Sequence, residues 1–293
     1  MARFVFSAFA DEAGRSLDEQ IRALKENGID YIEPRNVDGK GIITLTDEEI
    51  LEIKRKLDEN GIKVNSLGSP IGKYKIEEDF EPHLKDTIRA LEICNMLETK
   101  NMRMFSFFTP QDDLLKYRDE VMRRLRIMVT EAKKYGVDLC HENESRIYGQ
   151  MPREVRDILT TVPELYGVFD AANFRMNDGD VMEGIEATLI NLKYLHIKDA
   201  IFSTKTITPA GEGEGRLAEI IDLVNEKTDA VVYLTLEPHL KVFDAYKDID
   251  EHELKGTRVF KTNREAFDFA VSALRNLLIK QGYRKDENNE WIK

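Results

Sequence analysis

Short apolar runs alternate with amphipathic stretches along the chain. Eight runs have strand length and composition: residues 4–9, 31–33, 63–67, 103–108, 137–142, 167–170, 194–198 and 231–237. Between and after them the apolar positions take helical spacing, at 17–27, 47–60, 82–97, 116–134, 152–160, 181–189, 217–225 and 264–281. In the last of these, Phe267, Val271, Leu274 and Leu278 share one face. Local signals agree with the alternation. Ser16 stands three residues before Glu19 and Thr46 three before Glu49, the spacing of a capping box. The segments LKENGIDYIE, LDENGIKVNS and AKKYGVDLCHE repeat one order of helix, glycine and strand, with Gly28, Gly61 and Gly136 where a helix ends in the left-handed region. Eight strands alternating with eight helices predict an α/β fold, the (β/α)8 TIM barrel. A doubly wound open sheet is the alternative, and it lacks a Gly-rich phosphate turn after the first strand.

No low-complexity linker breaks the series, so residues 1–293 read as one domain with a polar tail at about 283–293. The polar segment 239–261 reads as an excursion after the eighth strand, and Trp291, the single tryptophan, packs on the body or on another subunit. A chain this long buries roughly 75% of its unfolded surface and needs no disulfides. Cys94 and Cys140 lie in apolar surroundings and read as buried thiols, which points to a reducing, cytoplasmic setting. The first residues read as a strand rather than a leader, and no apolar run reaches the ~20 residues that span a bilayer. A net charge of −12 argues against nucleic acid and anionic membranes as partners. It leaves a small molecule as the expected partner, with a homo-oligomer compatible.

Four of the runs end in residues able to bind a metal: VDLCHEN at Glu142, LYGVFDAAN at Asp170, LKYLHIKD at His196 and VVYLTLEPH at Glu237. In a barrel, the C-terminal strand ends meet at one mouth. Two carboxylates about 4 Å apart repel by roughly 4 kcal/mol at an effective dielectric near 20, so a third needs a cation or a proton. Three oxygen donors and one imidazole suit Mn²⁺ or Mg²⁺, with Co²⁺ or Zn²⁺ able to take the same set. Each residue alone would more often cap a helix, pair with a cation or sit in the core. The four together, at strand ends in this order, point to a site.

The segments HENE (141–144), FDAANF (169–174), HIKDA (196–200), GEGEG (211–215) and LEPHL (236–240) resemble those of the xylose isomerase-like TIM barrels, specifically the sugar phosphate isomerase/epimerase group. SAFADEAG and IEPRNVDGK resemble it as well, so the similarity spans most of the chain. The resemblance implies that Glu142, Asp170, His196 and Glu237 hold one divalent ion and that Glu142 and Glu237 act as acid and base. It implies a metal-dependent sugar or keto-sugar isomerase or epimerase working through a metal-stabilised enediolate. Such chemistry removes a proton from carbon beside a carbonyl, and carboxylates on opposite faces of the sugar can take and return it.

Flanking residues extend the expected site. Asn173 can bond a substrate hydroxyl or complete a turn. Lys198 shares the strand face of His196 and reaches substrate or a carboxylate; His239 lines the mouth. Glu33 and Arg35 share a strand face and read first as a structural ion pair. Glu144 lies on the side of Glu142, which the motif favours as ligand. GEGEG lacks the spacing of a phosphate loop and reads as a tight turn before a helix. The same residues would serve a lyase or dehydratase acting on a keto-inositol or 3-keto-glycoside. An endonuclease IV-like repair enzyme needs several His ligands, against five His in the whole chain and a charge of −12. A non-catalytic sugar-binding subunit would keep the barrel without the metal.

Overall fold

The computed structural model describes residues 1–243, Tyr246 and residues 255–293. Of the polar excursion expected at 239–261, residues 244–245 and 247–254 lie outside the described residues. Parallel strands alternate with helices in the pattern of a (β/α)8 barrel. The strands are β1 (Arg3–Ala8), β2 (Tyr31–Ile32), β3 (Lys63–Val64), β4 (Leu67–Gly68), β5 (Asn101–Met104), β6 (Asp138–Glu142), β7 (Tyr166–Asp170), β8 (Leu192–Ile197) and β9 (Val231–Leu236). The helices between them include α1 (Leu17–Glu26), α2 (Asp47–Glu59), α3 (Phe80–Met96), α4 (Leu114–Tyr135), α5 (Pro152–Thr161), α6 (Ala171–Met176), α7 (Val181–Thr188) and α8 (Leu217–Lys227), with α9 (Asn263–Lys280) after β9.

The chain divides into two compact units. The terminal unit comprises Met1–Gly41, Leu57–Lys63 and Tyr194–Lys293. Here β1 pairs in parallel with β9 from Arg3↔Val231 to Ala8↔Leu236, and β8 lies on the other side of β9 with Ile197 opposite Leu236. This register brings Phe9, Lys198 and Glu237 to the same C-terminal level. Helix α1 starts at a complete capping box between Ser16 and Glu19, and Gly28 follows it at φ 60°. Trp291 pairs antiparallel with Phe4 and stacks on Phe6 at 5.5 Å, so the polar tail is folded back on β1.

The central unit comprises Ile42–Lys56 and Val64–Lys193. Its strands β4, β5, β6 and β7 pair in parallel in chain order, with Gly68 opposite Arg103, Met104 opposite His141 and Glu142 opposite Val168. Helix α4 ends at Gly136, φ 66°, as the sequence predicts. Two strands differ from expectation by more than their end residues. The third run splits into β3 and β4 around Asn65 and Ser66. The fourth strand spans 101–104 rather than 103–108. Phe105 and Phe107 are fully buried, but their N–H groups donate to Ile71 and Gly72 carbonyls, and Phe107 has φ 72°. The apolar run recorded burial there, not an extended backbone.

Candidate metal and proton-transfer site

In the terminal unit, Glu237 is the residue after β9, and it is 3% exposed. Its Oε1 accepts from Arg35 Nη1 at 2.9 Å. Its Oε2 lies 3.5 Å from both His196 Nδ1 and Lys198 Nζ. Burial raises the Glu237 carboxyl's pKa, and Lys198, His239, His196 and Arg35 more than reverse this, holding it well below the usual carboxylate range. Oε2 is buried and accepts no hydrogen bond among the described residues. A buried anionic oxygen beside an imidazole nitrogen is the donor arrangement that a cation completes.

His196 lies inside β8 with no exposure, its ring edge-on to Phe9 at 5.1 Å. Its Nε2 is 3.4 Å from Glu33 Oε2, and Glu33 also accepts from the Tyr194 hydroxyl at 2.9 Å. When the ring is neutral, a proton kept on Nε2 beside Glu33 would leave the Nδ1 lone pair facing Glu237, the tautomer that a metal-binding histidine with a carboxylate behind it adopts. Lys198, one residue past β8, points to the same side as His196, as strand alternation predicts. His239 stands two residues past Glu237 in the left-handed region, φ 45°. Its N–H donates to Glu12 Oε2 at 2.8 Å, and its Nε2 is 3.4 Å from Glu12 and 3.5 Å from Glu237. Glu12, Glu237 and His239 form a buried group with ligand atoms within 4.8 Å of one another. Burial drives the Glu12 carboxyl well above its usual range despite the Arg35 charge.

Arg35 joins these groups. Its Nε and Nη2 grip Asp11 at 3.1 and 3.0 Å, Nη2 lies 3.5 Å from Glu12, and its guanidinium sits over the Phe9 ring at 4.3 Å. The ion pair expected of Arg35 is therefore made with Asp11 and Glu237, while Glu33 serves Tyr194 and His196.

In the central unit, Glu142 ends β6 and Asp170 ends β7, both buried. Glu142 Oε2 accepts from Arg103 at 3.1 Å, and its Oε1 accepts from Asn173 at 3.4 Å. Asp170 also caps helix α6, with Oδ1 accepting the Asn173 N–H at 2.9 Å. Asn143 fixes the two strand ends against each other: its side chain donates to the Asp170 carbonyl and accepts the Asp170 N–H, both at 2.9 Å. Asn173 bridges Glu142 and the Asn143 carbonyl. Glu144 turns to Lys73 at 3.0 Å.

The structure thus gathers His196, Lys198, Glu237 and His239 in one unit, and Glu142, Asp170 and Asn173 in the other. Asp11, Glu12, Arg103 and Asn143 were not singled out from sequence. Arg103 carried a usable signal: a lone charge between Met102 and Met104 inside an apolar run. Asp11 and Glu12 carried none beyond two adjacent acids after a strand.

A family model described as xylose isomerase-like TIM barrel matches residues 21–253. A search of curated proteins gives no match. Among solved structures, the IOLI protein with a bound zinc atom is similar at TM-score 0.73 and 17% identity, covering 95% of this chain and 99% of that one. A D-psicose 3-epimerase solved in the presence of D-fructose gives 0.72 and 16% over 95% and 99% of the two chains. A probable 3-DHS dehydratase involved in petrobactin synthesis from Bacillus anthracis gives 0.71 and 14% over 94% and 99%. At these identities the likeness is one of fold.

Proposed function

The chain belongs to the xylose isomerase-like TIM barrel family, and from that premise we propose that it is a divalent-metal-dependent isomerase or epimerase of a small sugar or keto-sugar. The ion would be held by Glu142, Asp170, His196 and Glu237, each buried within one residue of the C-terminal end of a strand. Barrel topology directs such residues to a common mouth. The observation that carries the reading is Glu237 Oε2, anionic, buried and without a hydrogen bond among the described residues, beside His196 Nδ1. The oxygen-rich donor set favours Mn²⁺, with Mg²⁺, Co²⁺ or Zn²⁺ as substitutes. When bound, the ion supplies positive charge at the substrate's carbonyl and hydroxyl oxygens.

The remaining work falls to the chain. Glu142 and Glu237 transfer the proton on carbon beside the carbonyl, one removing it and one returning it. Lys198 and Arg35 hold Glu237 ionised, the form that can accept a proton. Arg103 and Asn173 orient Glu142. Asn173, Lys198 and His239 also meet the substrate's hydroxyl groups. Both cysteines are buried and neither is in a disulfide, which accords with the cytoplasm. A dehydratase is the second reading, favoured by the similarity to the probable 3-DHS dehydratase, because it begins with the same proton removal.

The test is exchange of substrate hydrogen with deuterated solvent, read by NMR across a panel of keto-sugars, on protein whose metal content is measured. The reading expects exchange with at least one ketose in the loaded protein and none after chelation. Metal-loaded protein that exchanges no ketose, or exchange unaffected by chelation, would overturn it.

A further inference from the structure

The GEGEG segment, expected only to form a turn, closes around the Asp199 side chain. Asp199 is 1% exposed, and its carboxylate accepts four backbone N–H groups. Oδ1 takes those of Ala200 and Gly215, each at 2.9 Å. Oδ2 takes those of Gly211 at 2.9 Å and Gly213 at 3.1 Å. Two further bonds fasten the same loop to the chain after Asp199: Glu214 N–H to the Ala200 carbonyl at 2.8 Å, and Phe202 N–H to Glu214 Oε2 at 2.8 Å. The glycines are needed by shape as well as conformation. A Cβ on Gly213 would stand 2.2 Å from Asp199 Oδ1 and 2.7 Å from the Ala200 nitrogen, and Gly211 has φ 83°. Four N–H dipoles converging on one buried anion make charge-assisted bonds that are stronger than neutral ones. Lys198, the residue before this anchor, places Nζ 3.5 Å from Glu237 Oε2, and His196 places Nδ1 at the same distance from that atom.

We infer that Asp199 is a positioning residue: clamped by Gly211, Gly213 and Gly215, it fixes the end of β8 so that His196 and Lys198 face Glu237. Asp199 itself faces the loop, so it acts through its neighbours. The inference rests on the proposed metal site for its consequence, not for the clamp.

The experiment uses the full chain, with Co²⁺ alone as probe, and compares wild type with Asp199→Asn and Glu214→Ala. Asparagine keeps the size of the side chain but offers an N–H₂ to two of the N–H donors. Glu214→Ala removes one tether, leaves Asp199 intact, and decides the question if Asp199→Asn does not fold. Outer groups of this kind change metal affinity by about 10–100-fold. Asp199→Asn should weaken Co²⁺ binding by that factor and alter its visible spectrum, and Glu214→Ala should do the same to a smaller degree. Unchanged affinity and spectrum in folded variants would overturn the inference. Hydrogen exchange supplies an arm without metal. Asp199→Asn should raise amide exchange at residues 211–215 and also at 196–198, by roughly tenfold or more. Loss of protection confined to 211–215 would show a loop tether only and overturn the positioning role. If wild type binds no Co²⁺, the metal reading fails, and the exchange arm still decides the clamp.

Discussion

Arg35 donates to Glu237 Oε1 at 2.9 Å while holding both Asp11 oxygens, so one guanidinium neutralises two buried carboxylates from distant points of the chain. Both residues of the Arg35–Glu237 pair are under a tenth exposed, and the planar fork is what lets three nitrogens serve two acids.

Removing that fork leaves Asp11, Glu12 and Glu237 close together without their shared counter-charge. Breaking a buried pair from one side costs about 3–5 kcal/mol, and Arg35→Met should lose stability on that order in urea unfolding. Arg35→Lys should recover only part, because an ammonium cannot grip Asp11 and Glu237 together. A loss under about 1 kcal/mol for Arg35→Met, the size of an exposed pair, would mean the network is not needed for folding.

The proposed ion should offset the charge of its own carboxylate ligands, of which Glu237 also belongs to the Arg35 network. Added Mn²⁺ at a hundred times its Kd should stabilise the wild type by about 2.7 kcal/mol. Glu237→Gln and Asp170→Asn should each lose most of that gain, and a chelator should abolish it. Thermal unfolding with and without Mn²⁺ reads all three. Equal Mn²⁺ shifts in wild type and both variants would place the ion elsewhere.

The parts of the fold that depend on near neighbours were legible in the sequence. Ser16 with Glu19, and the glycines 28, 61 and 136, stand where local spacing puts them. The strand-end placement of Glu142, Asp170, His196 and Glu237 was legible because each interrupts or ends an apolar run. Contacts between distant residues were not. Nothing near Arg35 announces Asp11, 24 positions away, or Glu237, 202 away. No local signal marks Asp199, because its partners are backbone N–H groups that any sequence carries. The strand stops at Met104, short of the apolar run's end, because Phe105 and Phe107 are apolar for packing while their backbone bonds go to a loop.

That loop gives a contrast between glycines. Gly72 has φ 91°, and a Cβ there would stand 2.0 Å from the Phe105 carbonyl oxygen, a backbone atom that no rotamer change can move. Gly61 has φ 71° with nothing within 4 Å. Gly61→Ala should cost only the left-handed penalty, about 1–2 kcal/mol. Gly72→Ala adds the clash and should exceed ~3 kcal/mol. Equal losses in denaturant unfolding would show that the 71–74 backbone yields to the methyl group.

The same turn is tied to a pH-dependent stability. His83 is 1% exposed, and its Nε2 accepts the Gly72 N–H at 3.0 Å. Its ring packs against Tyr74, Phe80 and Phe107. Protonating Nε2 would break the Gly72 bond and put a charge among those rings. Burial first, and then the Arg124 charge, lower the His83 pKa to about 4. In the unfolded chain a histidine takes its proton near 6.5. Between these values the unfolded state binds more protons than the native one, so native stability falls as pH falls through this window and is unaffected above it. The window spans about 2.5 units, worth on the order of 3 kcal/mol. His141, also lowered to about 4 by burial, acts with the same sign, as do paired carboxylates nearer pH 4. The comparison with His83→Gln isolates the His83 share, since glutamine can still accept the Gly72 N–H but does not titrate. The stability advantage of wild type over His83→Gln should shrink by about 2–3 kcal/mol between pH 7 and pH 4.5. A difference that stays constant across that range would mean that His83 is protonated in the native state and that its bond to Gly72 is made differently.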